Sequence, residues 1–129
     1  MQLTPTYSIY RNEVVIREKP ASLTNDEKAQ IIISTISEYG NVNMDMLAGV
    51  WRKREVCELR HIAMELIRKN TGLSLVNIGV KFGGRDHSSI LHAVTKVGDL
   101  FDTDKQFREK YLQIQYLLSS KLNLINPKK

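Results

Sequence analysis

The run Arg85-Asp86-His87-Ser88-Ser89 gathers a forked cationic donor, a carboxylate, an imidazole and two hydroxyls within five residues. Gly83-Gly84 precedes it, and an apolar stripe of Ile90, Leu91, Val94, Val97 and Phe101 follows. It therefore reads as the opening turn of a helix, with Asp86 as the amino-terminal cap. Short polar side chains at a helix start suit base-pair edges. The major groove of B-DNA admits one helix and shows a distinct donor, acceptor and methyl pattern for each pair. The unpaired backbone amides of such a turn also favour a phosphate oxygen. The competing use of these side chains is metal or acid-base chemistry through Asp86, His87 and His92. Five helical residues turn His87 and His92 about 140° apart, so they diverge rather than converge on one ion. No catalytic role, metal or other cofactor is expected.

Charge placement points the same way. The chain carries a net +5, and the segment from Val50 to Val97 holds nine Lys or Arg against four acids while the remainder balances. A confined excess of this kind is the footprint of a surface that meets phosphates. Within it, Arg52-Lys53-Arg54 forms a basic loop. Arg60 and Arg68, eight residues apart on one helical pattern, are expected to project from neighbouring parts of an exposed face. Cys57, the single cysteine, cannot form an internal disulfide and reads as a small buried hydrophobe. No apolar stretch approaches the ~18 residues of a membrane span. Met1-Gln2-Leu3-Thr4-Pro5 lacks the basic start and apolar stretch of a secretory signal, which predicts a cytoplasmic, nucleoid-associated protein.

Helices must position these residues. Thr24-Asn25-Asp26-Glu27 has the S/T-x-x-E form of a capping box. It opens a first helix with Ile32, Ile36 and Tyr39 on one stripe and Gly40 as its left-handed stop. Asn43 caps a short helix through Leu47 that closes at Gly49. A long helix from about Glu55 to Thr71, stopped by Gly72, buries Val56, Leu59, Ile62, Ala63, Leu66 and Ile67. Ser74 caps a short helix carrying Leu75, Ile78, Val80 and Phe82, and the Gly83-Gly84 turn leads into the helix that begins at Asp86. A short helix, a tight glycine turn and a second helix with a polar start is the helix-turn-helix layout. A last helix from Thr103 or Asp104 repeats Phe107, Tyr111, Ile114, Leu118 and Leu122 at spacings of three and four. The domain spans 24–122. Residues 1–23, with Pro5, Pro20 and the extended pieces Tyr7–Tyr10 and Val14–Ile16, form an arm, and 123–129 a frayed tail.

The stretch Leu75-Val76-Asn77-Ile78-Gly79-Val80-Lys81-Phe82-Gly83-Gly84-Arg85-Asp86-His87-Ser88-Ser89-Ile90-Leu91-His92-Ala93 closely resembles the signature of the carboxy-terminal DNA-binding domain of the bacterial replication initiator DnaA. Arg60-His61-Ile62-Ala63-Met64-Glu65-Leu66 extends the likeness into the preceding helix, so that it covers roughly 28–100. The resemblance implies an all-α, Trp-repressor-like helix-turn-helix bundle that reads a short asymmetric box in double-stranded DNA. It implies base contacts in the major groove by Arg85, Asp86, His87 and Ser88. It also implies contacts to the sugar-phosphate backbone by Ser89, Leu75, Arg68, Arg52, Arg54 and Arg60.

Two departures narrow what carries over. The resemblance places an arginine in the minor groove at the position of Glu58, where a carboxylate would be repelled, so the usual box is not expected to be read in the usual way. Nothing resembles the G-x-x-x-x-G-K-S/T phosphate loop of the initiator's ATPase domain, which predicts a free-standing module that regulates replication initiation or transcription. It is expected to bind DNA as a monomer. The alternative is a protein-interaction module whose arm and last helix dock a replication protein or a second copy.

Overall fold

The computed structural model describes residues 23–123. Six helices form among them: α1 (Asn25–Gly40), α2 (Met44–Ala48), α3 (Arg54–Asn70), α4 (Leu75–Lys81), α5 (His87–Thr103) and α6 (Lys105–Asn123). The expected extended pieces at 7–10 and 14–16, most of the arm and nearly all of the tail lie outside the described residues.

Five of the helices start on a side chain that accepts from an otherwise orphaned backbone N–H. Thr24 and Glu27 form the predicted capping box at α1. Asn43 caps α2, Ser74 caps α4 and Asp86 caps α5. Asp104 accepts from the Phe107 N–H at the head of α6. Only α3 begins without a side-chain cap. Its first turn instead carries the Arg54–Glu58 ion pair four residues apart.

Two helix stops differ from expectation. The left-handed residue after α1 is Asn41 (φ 54), not Gly40. Gly40 is needed for another reason: a Cβ there would lie 2.2 Å from Leu59 Cδ1, so the glycine lets α1 close on α3. At the end of α3 the chain leaves the helix at Thr71, in an extended conformation. The Thr71 hydroxyl donates to the Ile67 carbonyl and accepts from the Leu73 N–H, which does the work assigned to Gly72.

α3 is the central element, packed against α1, α2, α4 and α5. It contributes Val56, Leu59, Ile62, Ala63, Met64, Leu66 and Ile67 to the buried interior. Phe82 and Ile78 plug the core beneath the helix-turn-helix, and Ile90, Ala93 and Val97 seat α5 on it. Leu91, expected on that stripe, is 48% exposed. A step of one residue rotates a helix by about 100°, so once Ile90 points inward Leu91 faces out and Ala93 takes the next inward position. The face of α6 bearing Phe107, Tyr111, Ile114 and Leu118 closes the core. The Tyr111 hydroxyl donates to Glu65 on α3 (2.7 Å) and accepts from Lys69 (3.2 Å). No helix among the described residues is long and apolar enough to cross a membrane.

Candidate nucleic-acid interface

The turn between α4 and α5 is built around Gly79. Its carbonyl accepts the N–H groups of Phe82 (3.1 Å), Gly84 (3.0 Å) and Arg85 (3.0 Å). A Cβ on Gly79 would sit 1.9 Å from the Arg85 carbonyl oxygen, so the chain can fold back over α4 only at a glycine. Gly83 (φ 82) and Gly84 (φ 80) supply the two left-handed steps of the turn, which side chains with a Cβ adopt at a cost. Gly83 also passes close to the Ala48 carbonyl. In the sequence Gly79 shows only as a lone glycine inside a seven-residue helix, a position that often marks a close backbone approach.

The turn delivers Asp86, His87, Ser88 and Ser89 to solvent on the first turn of α5. The Asp86 carboxylate accepts the Ser89 N–H at 2.9 Å. That bond, with the Ser89 hydroxyl and the neighbouring His87, holds the carboxyl below the usual range. Asp86 is thus an ionised cap with a fixed orientation, and capping leaves carboxylate capacity for another donor.

Arg85, the expected forked donor, is partly engaged by the protein. Its Nη2 donates to the Gly49 carbonyl, its Nε is buried without a partner, and the side chain is only partly exposed. Burial and the nearby Arg60 push the guanidinium down from its ordinary value. One nitrogen of the fork, Nη2, is therefore committed to the protein, and Nε is shielded from solvent.

Arg60 is a plainer correction. It is 4% exposed and does not share an outer face with Arg68. Its Nε donates to the Leu47 carbonyl (2.7 Å), and its Nη2 to the carbonyls of Trp51 (2.9 Å) and Met46 (3.2 Å). These acceptors draw the guanidinium inward, under the loop that joins α2 to α3. A buried cation is tolerated there because several carbonyl dipoles replace its water. Arg60 thus shapes the basic loop rather than standing beside it.

Glu58 is also turned away from the position expected of it. It bonds to Lys110 on α6 (2.7 Å) and to Arg54 (3.2 Å). Burial would raise its carboxyl, but the bonds and charges of Lys110 and Arg54 outweigh that and lower it. Arg52, Lys53 and Arg54 line the exposed loop and first turn of α3, Arg68 is exposed in the last turn of α3, and Leu75 is half-buried at the head of α4. Arg85 joins the loop to the start of α5 and Arg60 joins it to α3, while among the described residues no hydrogen bond ties the side chain of Arg68 or Leu75 to that cluster.

Beside the α5 start, Arg60, His61, Met64, Arg85, Asp86, Ser88, Ser89 and His92 line an open depression of about 400 Å³. His61 lies half-buried in it. Burial, with Lys96, Arg60, His92 and Arg85 around it, lowers its pKa to about 4, so the ring is neutral at physiological pH. Its cations are Arg60 and Arg85, and Asp86 is its one carboxylate. Among the described residues, no three of His, Cys, Asp and Glu are grouped so as to hold a metal ion.

Comparison with known proteins agrees with this geometry. Residues 29–97 match the family described as bacterial dnaA protein helix-turn-helix. The chain is 36% identical over 101 residues to the chromosomal replication initiator protein DnaA of Thermomicrobium roseum. The matched region is 78% of this chain but 22% of that relative, so the chain spans about a fifth of the relative's length. The glycine turn, the capped polar start of α5 and the central α3 all fall within the matched residues, and the chain belongs to the bacterial DnaA helix-turn-helix family.

Proposed function

We propose that this protein binds double-stranded DNA in a sequence-specific manner, with the first turn of α5 in the major groove, and that it acts in the control of replication initiation or transcription. The observation that carries this reading is the exposure of Asp86, His87 and Ser88 on a turn whose backbone is fixed by Gly79, Gly83 and Gly84. Asp86 accepts from a cytosine amino group, while His87 and Ser88 supply hydrogen bonds and apolar contact to neighbouring pairs. Arg85, anchored on Gly49, holds the loop against this turn instead of spanning a guanine. Arg52, Arg54, Arg68 and Ser89, with the Leu75 backbone at the head of α4, meet the sugar-phosphate chains. Because Glu58 is engaged with Lys110, the sequence read differs from one that needs an arginine at that position.

Selection from a randomised duplex pool, followed by sequencing, tests the reading. Enrichment of one short asymmetric motif is expected. Binding without any enriched motif would refute base readout and leave only charge-driven association.

The protein-docking alternative has one observation in its favour. α6 exposes Leu112, Tyr116 and Leu117 beside Tyr39. Sedimentation of the chain across a concentration series, with and without Tyr116→Ser, shows whether that face assembles a second copy. A single monomeric species at every concentration removes self-association.

A further inference from the structure

The loop between α2 and α3 holds an apolar feature that the duplex reading does not use. Val50 is 83% exposed and Trp51 is 52% exposed, directly before the exposed cations Arg52 and Lys53. Trp51 is the chain's single tryptophan. Leaving so large an apolar side chain half in water forgoes burial that a core position would supply.

The backbone beneath it is tethered. Arg60 donates to the carbonyls of Met46, Leu47 and Trp51, the Cys57 thiol donates to the Trp51 carbonyl, and Arg85 donates to the Gly49 carbonyl. Arg85 immediately precedes the cap of α5. The loop and the reading turn are therefore held as one piece, and the apolar tip is presented at a set distance from α5.

We propose that Trp51, supported by Val50, is an apolar wedge for the minor groove of the duplex whose major groove α5 occupies. This rests on the duplex reading above. A single phosphate chain separates the two grooves, so a loop fixed beside the first turn of a groove-bound helix meets that chain and the groove beyond it. Arg52 and Lys53 meet its phosphates, and their charge makes the surroundings of Trp51 complementary to DNA. The indole face packs on sugars and partly unstacked bases, and its N–H finds acceptors at purine N3 or pyrimidine O2. Apolar wedges of this kind widen the minor groove and kink the duplex toward the major groove. The nearby Glu58 carboxylate is drawn into ion pairs with Arg54 and Lys110, which lessens its opposition to the approach of DNA.

Because Trp51 is the only tryptophan, emission excited at the red edge of the indole band, where the five tyrosines do not absorb, reports on this side chain alone. The chain is titrated with the duplex recovered by selection, while anisotropy of a labelled copy of the same duplex follows binding independently. At saturation the emission is expected to shift to the blue, and quenching by acrylamide to fall at least about twofold. Trp51→Ala is expected to bind about 5- to 10-fold more weakly, and Trp51→Phe to stay within about threefold of the parent, on the scale of one aromatic–base contact. Hydroxyl-radical footprinting should show minor-groove protection beside the α5 contacts that Trp51→Ala loses. A saturated complex with unchanged emission and quenching overturns the wedge while the duplex reading stands. So does a folded Trp51→Ala, checked by circular dichroism, that binds as tightly as the parent. No anisotropy change with any duplex overturns both readings.

Discussion

His87 and Arg68 stand for two kinds of contact that a duplex offers, and their substitutions should separate. His87 is exposed on the turn proposed to read bases. His87→Ala is expected to weaken the selected duplex by about 5- to 100-fold relative to random duplex, the range of one base contact. Arg68 lies on the last turn of α3, and Arg68→Ala should weaken both duplexes alike and lower the salt slope by about one. Equal losses on both duplexes for both variants would sink this division of roles. His61 makes a second prediction at this scale. Its folded pKa, about 4, lies below the ordinary 6.5, so between these values the unfolded chain binds the extra proton. Stability is then lost as pH falls from about 6.5 toward 4. The groups facing His61 are the cations Lys96, Arg60 and Arg85 and the titratable His92, which all oppose its charging. The lowered carboxyls of Asp86 and Glu58 act at more acid pH, where their stabilisation is lost as pH falls below their ordinary values. Urea unfolding across this window should therefore give a flatter acid limb for His61→Gln. An unchanged limb would remove His61 from the account.

At the level of elements, the glycines of this chain do different jobs, and alanine substitution tells them apart. A Cβ at Gly79 collides with the Arg85 carbonyl, a backbone atom that cannot move without carrying the α4–α5 turn with it. Gly79→Ala should cost about 1–3 kcal/mol in thermal or denaturant unfolding, and it should weaken specific binding further because α5 is re-aimed. Gly98 lies within α5, exposed and with nothing within 4 Å of an added Cβ. Gly98→Ala should stabilise the fold by about 0.5–1 kcal/mol, since only the backbone entropy of a helical glycine is removed. The opposite ordering of the two variants would mean that the turn is not set by Gly79.

For the whole molecule, the proposed duplex binding draws on the basic excess of the middle segment, part of which lies on the loop tethered to α5. If about three or four of these cations each neutralise a phosphate, the logarithm of affinity should fall with the logarithm of salt at a slope of about 3 to 4. A slope near zero in a titration between 50 and 200 mM salt, a range in which phosphate-bound proteins lose affinity steeply, would argue that the charge is only a solvated face. The Lys110–Glu58 pair couples α6 to the start of α3. Lys110→Met should leave Glu58 with Arg54 as its ion-pair partner, and under the proposed duplex binding the less neutralised carboxylate should raise the Kd measured in the same titration.

The features legible in the sequence are short-range ones. The capping box at Thr24, the caps at Asn43, Ser74 and Asp86, the glycine turn and the polar run from Asp86 to Ser89 were all legible. Each depends on residues within about one helical turn of one another, and hydrophobic periodicity gave the rest of the helix order. Tertiary structure decided what depends on partners far along the chain. Arg60 turns inward because carbonyls 9 to 14 residues away converge on it, Arg85 is anchored 36 residues away at Gly49, and Glu58 is neutralised 52 residues away by Lys110. Gly40 proved to be a packing contact rather than a stop because Leu59 on another helix approaches it. The exposure of Trp51 follows from the same convergence, since tethered carbonyls, not local propensity, fix where that loop presents its side chains.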